Sequence, residues 1–236
     1  MAMASTTKIM TALIAIQTEN LDQPVRVGQD AWNEVNLNGG SGANLVVNDK
    51  LTLHDLLYGL MLPSGDDAAV AIADAVGGSV PNFVQMMNRE ALRLHLYQTH
   101  FANPDGLEVL NSQGTPLNGV HYTTAYDLVR LAQYAMHLPL FAQIVQTLVY
   151  DVPATSAHAA YHWKNINALL NTYKGTLGIK TGWTPQAGGC LAFEVKRDGH
   201  TLIGVVLHSA DEASRFKDAE KLLNWGFNLP MQIPKP

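Results

Sequence analysis

After residue 175 the chain changes character, and that change limits its fold more than any other feature. The segments "LGIKTG", "GCLAFEVKR" and "TLIGVVLHS" read as three strands, and Asp198-Gly199 between the last two is a tight hairpin signal. Strands joined in that way are antiparallel neighbours in one sheet. Much of the preceding chain reads as helix. "STTKIMTALIAIQTE" over 5–19 starts on a serine and repeats apolar Ile9, Leu13 and Ile16 at helical spacing. "LTLHDLLYGLML" has Thr52 as N-cap with Asp55 at the capping-box distance, and Pro63 stops it. "DDAAVAIADAVGG" restarts as an Ala-rich helix that runs out at Gly77 and Gly78. Helices are expected over about 81–97 and 123–137, separated by the turn-rich "NPDGLEVLNSQGTPLNG", and "ASRFKDAEKLLNWGF" forms a closing helix. Residues 20–50 read as irregular, with a short "VRV" strand and the loop "NLNGGSGANL". The expectation is an α+β fold, an antiparallel sheet flanked by helices. One domain would span 1–236, with a helix-rich subdomain inserted over about 50–150 and the sheet and C-terminal helix over 175–236.

Composition removes several classes of function. The 236 residues are 47% hydrophobic and carry a formal net charge of −5 without a run of like charges, so no nucleic-acid partner is expected. Apolar runs such as "LIAI" and "LIGVVL" fall far short of the ~20 residues of a membrane span. No basic n-region, apolar core and cleavage site open the chain, so a signal sequence is absent from it. The single cysteine, Cys190 in "GGCLAF", rules out an intramolecular disulfide and reads as a buried structural thiol. His158 and His162 have metal-ligand spacing but lack a third ligand, and read as surface histidines; neither a metal nor a cofactor is expected.

Chemistry enters at Ser5-Thr6-Thr7-Lys8. A serine hydroxyl is a poor nucleophile until a base takes its proton, and a lysine three residues later on a helix lies on the same face. The spacing is cheap: Ser-x-x-Lys is expected about once by chance in a chain of this length, and Ser214 to Lys217 repeats it. Two further elements add weight. Ser64-Gly65-Asp66 sits in the break between two helices, where side chains can converge on a cleft, although Ser209-Ala210-Asp211 has the same form. Lys180-Thr181-Gly182 is the more specific one. It ends a strand-like "LGI" and would present a cation, a hydroxyl and a glycine that lets a substrate backbone come close.

In this order, on a helix start, an inter-helix loop and a strand, the three elements form the set known for penicillin-binding proteins and serine β-lactamases. The chain resembles the low-molecular-weight D-alanyl-D-alanine carboxypeptidases, serine peptidase family S11. "ASTTKIMTAL", "LLYGLMLPSGDDAAVAIA", "THFANPDGLE", "YTTAYDLVRLA", "GIKTGWTPQAGGCL" and "LLNWGF" carry the likeness over nearly the whole length. It implies a single transpeptidase-like catalytic domain and a set of roles. Ser5 would attack the carbonyl of the penultimate D-Ala of a peptidoglycan stem peptide and Lys8 would take its proton. The backbone N–H groups of Ser5 and Trp183 would form the oxyanion hole, and Ser64 would relay a proton to the leaving amine. Lys180 would supply positive charge and help Lys8 shed its proton, while Thr181, Gly182 and Arg215 would receive the substrate's terminal carboxylate. β-Lactams would acylate Ser5, and the native protein would work outside the cytoplasm, in the cell envelope or secreted.

Departures from the family pattern matter. Asp66 stands where the family most often has Asn; an ionised carboxylate cannot donate a hydrogen bond, and pairing with Lys8 or with Lys180 would be expected. Pairing with Lys8 would hold that lysine as an ammonium and weaken it as a base. Two sheet strands that relatives carry before the Ser-x-x-Lys helix are missing from this chain, which leaves the edge of residues 201–207 open for self-association into a homo-oligomer. Glu34 to Asn38 matches the deacylating Glu-x-x-Leu-Asn of class A β-lactamases but precedes Ser64 instead of following it, and is set aside. The alternatives are a promiscuous serine esterase or weak β-lactamase on the same fold, and a truncated module that binds peptidoglycan or penicillin without turnover.

Overall fold

The computed structural model describes residues 1–18 and 20–230. Its centre is the first helix. A 3-10 turn over Ala4–Thr7 leads into α1 (Lys8–Gln17), so Ser5 lies in the tighter turn and not in the first α-helical turn expected from the sequence. The reason is local. The Thr6 hydroxyl donates to Met3 O at 2.6 Å and that of Thr7 to Ala4 O at 2.8 Å, side-chain bonds that hold the i→i+3 winding. Every residue of α1 from Lys8 to Ala15 is buried, which fits a helix apolar around most of its circumference apart from the lysine.

A two-stranded ribbon of β1 (Pro24–Arg26) and β2 (Lys50–Thr52) brackets α2 (Gln29–Asn36), a helix the sequence did not reveal. It has eight residues and buries only Ala31, too little apolar repeat to read, and it owes its stability to packing on a later helix. In α3 (Leu53–Met61) the expected cap is present, with Thr52 Oγ1 accepting the Asp55 N–H at 3.0 Å. The chain turns at Pro63 and continues as α4 (Asp66–Gly77), closed by Gly78 at φ +73°. α5 (Val80–Arg93) ends earlier than expected because His95 turns left-handed at φ +58°. α6 (Ala125–Met136) follows the long turn-rich loop, and α7 (Pro139–Gln146) comes next. The antiparallel pair β3 (Val149–Val152) and β4 (Tyr161–Lys164) and the single turn α8 (Leu169–Thr172) lead to the sheet.

The sheet has the expected antiparallel order β5 (Thr176–Thr184), β6 (Gly188–Arg197), β7 (His200–Ser209). Arg197 pairs with His200 across Asp198 and Gly199, whose φ values of +51° and +80° make the hairpin turn that a right-handed sheet twist favours. Among the described residues, no strand pairs with the outer edge of β7. α9 (Ser214–Phe227) covers one face, with Leu223 and Ala219 against Leu191, Phe193 and Val195. The other face meets the helical layer, whose core runs from α1 through α3, α4 and α6 to Ile179 and Ala192 of the sheet. The other flank of β5 lies against the 3-10 turn, and that contact forms the floor of a large cavity.

Candidate active site

Gly182 sets the distance between β5 and the 3-10 turn that carries Ser5. A Cβ at this position would stand 2.9 Å from Ser5 N and 3.1 Å from both Thr6 N and Ala4 Cβ. Only glycine allows β5 to lie so close, and the sequence-distant Ser-x-x-Lys and Lys-Thr-Gly elements touch as a result. Beside this contact opens a cavity of about 840 Å³ whose lining includes Ser5, Ser64, Asp66, Thr181, Trp183 and Arg215. Ser5 is partly exposed there.

Lys8 lies fully buried beneath Ser5 and uses all three of its N–H donors. One goes to Ser5 Oγ at 2.8 Å, one to the Asp105 carbonyl at 2.9 Å, and one to Asp66 Oδ1 in a buried ion pair. Of the two partners open to Asp66 from the sequence, the structure selects Lys8. Asp66 begins α4, and its second oxygen accepts the Ser41 N–H at 2.6 Å. Ser41 Oγ donates to the Ser64 carbonyl at 2.6 Å, which braces Ser64 at φ +66° in the break between α3 and α4. Among the described residues no hydrogen bond joins Ser64 Oγ to Lys8 or Lys180.

The cations on the sheet side are arranged differently. Lys180 is buried behind the cavity wall and donates to Thr181 O at 3.0 Å. Burial, reinforced by the nearby Lys8 and Arg215 cations, pushes its ammonium well below the usual lysine range, against a smaller opposing pull from Asp66. Arg215, in the first turn of α9, donates from Nη1 to Gly182 O at 2.9 Å and leaves its buried Nε without a partner among the described residues. Burial lowers this guanidinium too. Buried cations with unused donors, lining or adjoining a cavity, favour an anion as occupant.

Two contributors were not legible in the sequence, and a third had been set aside. Ser41 belongs to the loop "NLNGGSGANL", which showed flexibility but not direction. Asp105 sits in the "NPDG" turn, closed by Gly106 N–H to Asn103 Oδ1 at 2.8 Å and Leu107 N–H to Asp105 Oδ1 at 2.7 Å. The turn could be foreseen; the aim of its carbonyl at Lys8 could not. Burial first, then the negative charge of Asp66, pushes the Asp105 carboxyl up to about 7. Glu34, set aside on sequence order, lines the same cavity from α2, and burial raises its carboxyl. Cys190 is free and buried in the sheet, while exposed His162 pairs with Asp151 at 2.6 Å.

Comparison with solved structures defines the class. The crystal structure of the Streptomyces K15 DD-transpeptidase superposes with a TM-score of 0.88 at 40% identity, covering 97% of this chain and 88% of that one. The fold is that of the penicillin-binding DD-peptidases. Residues 1–211 match the Peptidase S11 family, described as D-alanyl-D-alanine carboxypeptidase, and the chain belongs to that family of serine peptidases. A D-alanyl-D-alanine carboxypeptidase of Streptomyces sp. (strain K15) is 40% identical over 95% of this chain and 78% of its own length. D-alanyl-D-alanine carboxypeptidase DacF of Bacillus subtilis (strain 168) is 30% identical over 97% of this chain, which spans 56% of that protein.

The Asp105 carboxyl yields a pH prediction. Folded, it keeps its proton to about 7; unfolded, it loses it near pH ~4. Between those values the native state binds more protons, so the stability this group contributes is complete below pH ~4 and is lost as pH rises through about 7. Asp105→Asn retains the acceptor for Leu107 N–H, and its Tm should fall less than that of the wild type between pH 4 and 7. Parallel Tm profiles would contradict the assignment.

Proposed function

We propose that this chain is a serine D-Ala-D-Ala carboxypeptidase that works through an acyl-enzyme on Ser5. The observation that carries the reading is the 2.8 Å bond between Ser5 Oγ and the buried Lys8 Nζ, on the floor of a cavity bordered by cations. With a stem peptide ending in D-Ala-D-Ala in the cavity, its terminal carboxylate lies towards Thr181, Gly182 and Arg215. That anion favours the charged form of Lys180, against the burial that disfavours it, and offers the Arg215 guanidinium a negative partner. The scissile carbonyl then lies over Ser5, with the backbone N–H groups of Ser5 and Trp183 as oxyanion donors; loss of one such donor typically costs ~10²–10³ in rate.

For the attack Lys8 must be neutral. It takes the Ser5 proton as Oγ bonds to the carbonyl carbon of the penultimate D-Ala. Ser64 gives its proton to the amine of the departing D-Ala as the C–N bond breaks and takes the one Lys8 received from Ser5, and water then releases the acyl group. The β-lactam ring presents a strained amide to the same nucleophile, and its product keeps the leaving group tethered. The Streptomyces K15 relative is called a carboxypeptidase in one setting and a transpeptidase in another. An acyl-enzyme common to both reactions accounts for the two names, since water and an amine compete for it. The substrate places the reaction at peptidoglycan, in the cell envelope, and no described helix is long and apolar enough to cross a membrane.

The open edge of β7 supports a second element of the proposal, self-association through residues 201–207. A second copy adds its own β7 there and pairs the unused backbone donors and acceptors of both.

Intact mass after incubation with penicillin tests the central reading: a persistent adduct that is lost in Ser5→Ala, together with D-Ala release from a pentapeptide, is the expected result. Rapid loss of the adduct would indicate a β-lactamase, ester turnover without D-Ala release an esterase, and no adduct a binding module. Asp66→Asn should keep or raise the rate of acylation near neutral pH, because it removes the anion that holds Lys8 as an ammonium; a large fall in stopped-flow acylation would refute this account of the carboxylate. Light scattering should show mass rising with concentration, and a charged substitution at Val205 should abolish the rise. A strictly monomeric wild type at high concentration would exclude pairing through this edge.

A further inference from the structure

The residue before the nucleophile is strained. Ala4 has φ +46°, a left-handed conformation that an alanine adopts only when its surroundings hold it there. Two segments hold its carbonyl. From one side Gly106, at φ +95°, lies so close that a Cβ there would collide with Ala4 O and approach Thr7 Oγ1 to 2.8 Å. From within, the Thr7 hydroxyl donates to Ala4 O at 2.8 Å.

Thr7 Oγ1 has another partner, 2.7 Å away: the Nε2 atom of His121. The opposite ring nitrogen, Nδ1, accepts the Ala102 N–H at 3.0 Å. That bond fixes the tautomer, because Nδ1 must be unprotonated and the neutral ring then carries its hydrogen on Nε2. A single directed chain results: Ala102 N–H to His121, His121 Nε2–H to Thr7, Thr7 O–H to Ala4 O. Each hydroxyl and ring atom has one sense open to it. The ring is fixed further by an edge-to-face contact with Phe101 at 6.0 Å. Its backbone is anchored at the next residue, where Tyr122 and His100 exchange hydrogen bonds of 2.9 and 3.0 Å. Burial, with a smaller effect from His100, lowers the imidazole to about 4, which favours the neutral ring that this chain of bonds requires.

We propose that His121 is a positioning residue for Ser5, holding the strained Ala4–Ser5 peptide through Thr7 so that the Ser5 hydroxyl and N–H keep their aim. The same segment, residues 102–106, also supplies the Asp105 carbonyl to Lys8, so His121 ties the nucleophile turn and the lysine's support into one unit. This inference rests on the reading of Ser5 as the acylated residue. His121 touches no substrate; its effect is on geometry, and a displacement of about 1 Å at a reacting centre can cost ~10²-fold in rate.

Three variants separate positioning from mere stability. Gln at 121 can place an N–H where Nε2 stood; Asn reaches only the Nδ1 position and leaves Thr7 without its donor. Expected are a kcat for D-Ala release lowered about 10-fold or more in His121→Asn with KM little changed, and recovery of most of the loss in His121→Gln, although both lower Tm to a similar extent. Thr7→Val should match His121→Asn, and the double variant should be no slower than either, because the chain breaks once. A kcat that follows Tm through the series, or equal loss in Gln and Asn, would overturn the proposal. Should His121→Asn not fold, Thr7→Val against Thr7→Ser decides, since only the serine keeps the hydroxyl; equal rates in that pair would overturn the proposal as well. Absence of any penicillin adduct on the wild type would remove the nucleophile assignment itself, whereas normal acylation of both wild type and His121→Asn removes this inference alone.

Discussion

Three stretches of chain that are far apart in sequence converge on one ammonium group. Lys8 draws together Ser5 on its own turn, Asp66 at the head of α4 and the Asp105 carbonyl of the "NPDG" turn. A lysine this deeply buried is stable only because every donor is used and an opposite charge stands beside it. Removing one partner of such a pair commonly costs 3–5 kcal/mol, as it leaves the other charge buried alone. The ion pair is therefore as much a fastening of α1 to α4 as a piece of chemistry. It also explains why α1 can be buried nearly all round although it carries a lysine.

Around that fastening, charge is unevenly divided. On the helical side Asp66, Asp105 and Glu34 crowd near Lys8, and burial, with a smaller effect from mutual repulsion, lifts the carboxyls of Asp105 and Glu34. On the sheet side Lys180 and Arg215 lack a carboxylate of comparable closeness: Glu212 stands 3.5 Å from Arg215 and is largely exposed. The two halves do not neutralise each other across the cavity. A ligand that brings a carboxylate to the sheet side completes the balance, and one without it leaves Lys180 and Arg215 unsatisfied. The proposed preference for a free carboxyl terminus rests on this division before any detail of shape is considered.

Much of this arrangement could be read in the residues, and what could not has a consistent physical reason. The sheet was legible because period-two patterning and Asp198-Gly199 are local signals, and the Thr52 cap because it acts over three residues. The winding at Ser5 was misread as α-helical, since the Thr6 and Thr7 hydroxyls compete with the backbone in a way that propensity does not express. α2 was missed because eight residues with one buried side chain have no period. The choice of Lys8 over Lys180 as partner of Asp66 was a tertiary question, and both answers were compatible with the sequence. Asp105 contributes its carbonyl and Ser41 its N–H, beside its hydroxyl, to the Lys8–Asp66–Ser64 cluster, and a backbone group has no residue type to betray it. His121 stands one position before the segment "YTTAYDLVRLA" that carries the family likeness, and its meaning depends on Ala102 and Thr7, which no spacing rule connects.

The identity of residue 66 and the charge of Lys8 are a single choice. Both oxygens of Asp66 face donors, the Lys8 ammonium on one and the Ser41 N–H on the other. Only a carboxylate offers two acceptors; an amide has one acceptor and one donor. With an amide whose oxygen keeps the Ser41 N–H, the NH₂ group points at Lys8, and two donors meet unless Lys8 presents a lone pair. Such a site selects the neutral amine, the form that can accept a proton from Ser5. The carboxylate instead offers the lysine an acceptor and an opposite charge, the arrangement this site has. In this chain residue 66 is the carboxylate, and the buried ion pair it makes joins α1 to α4.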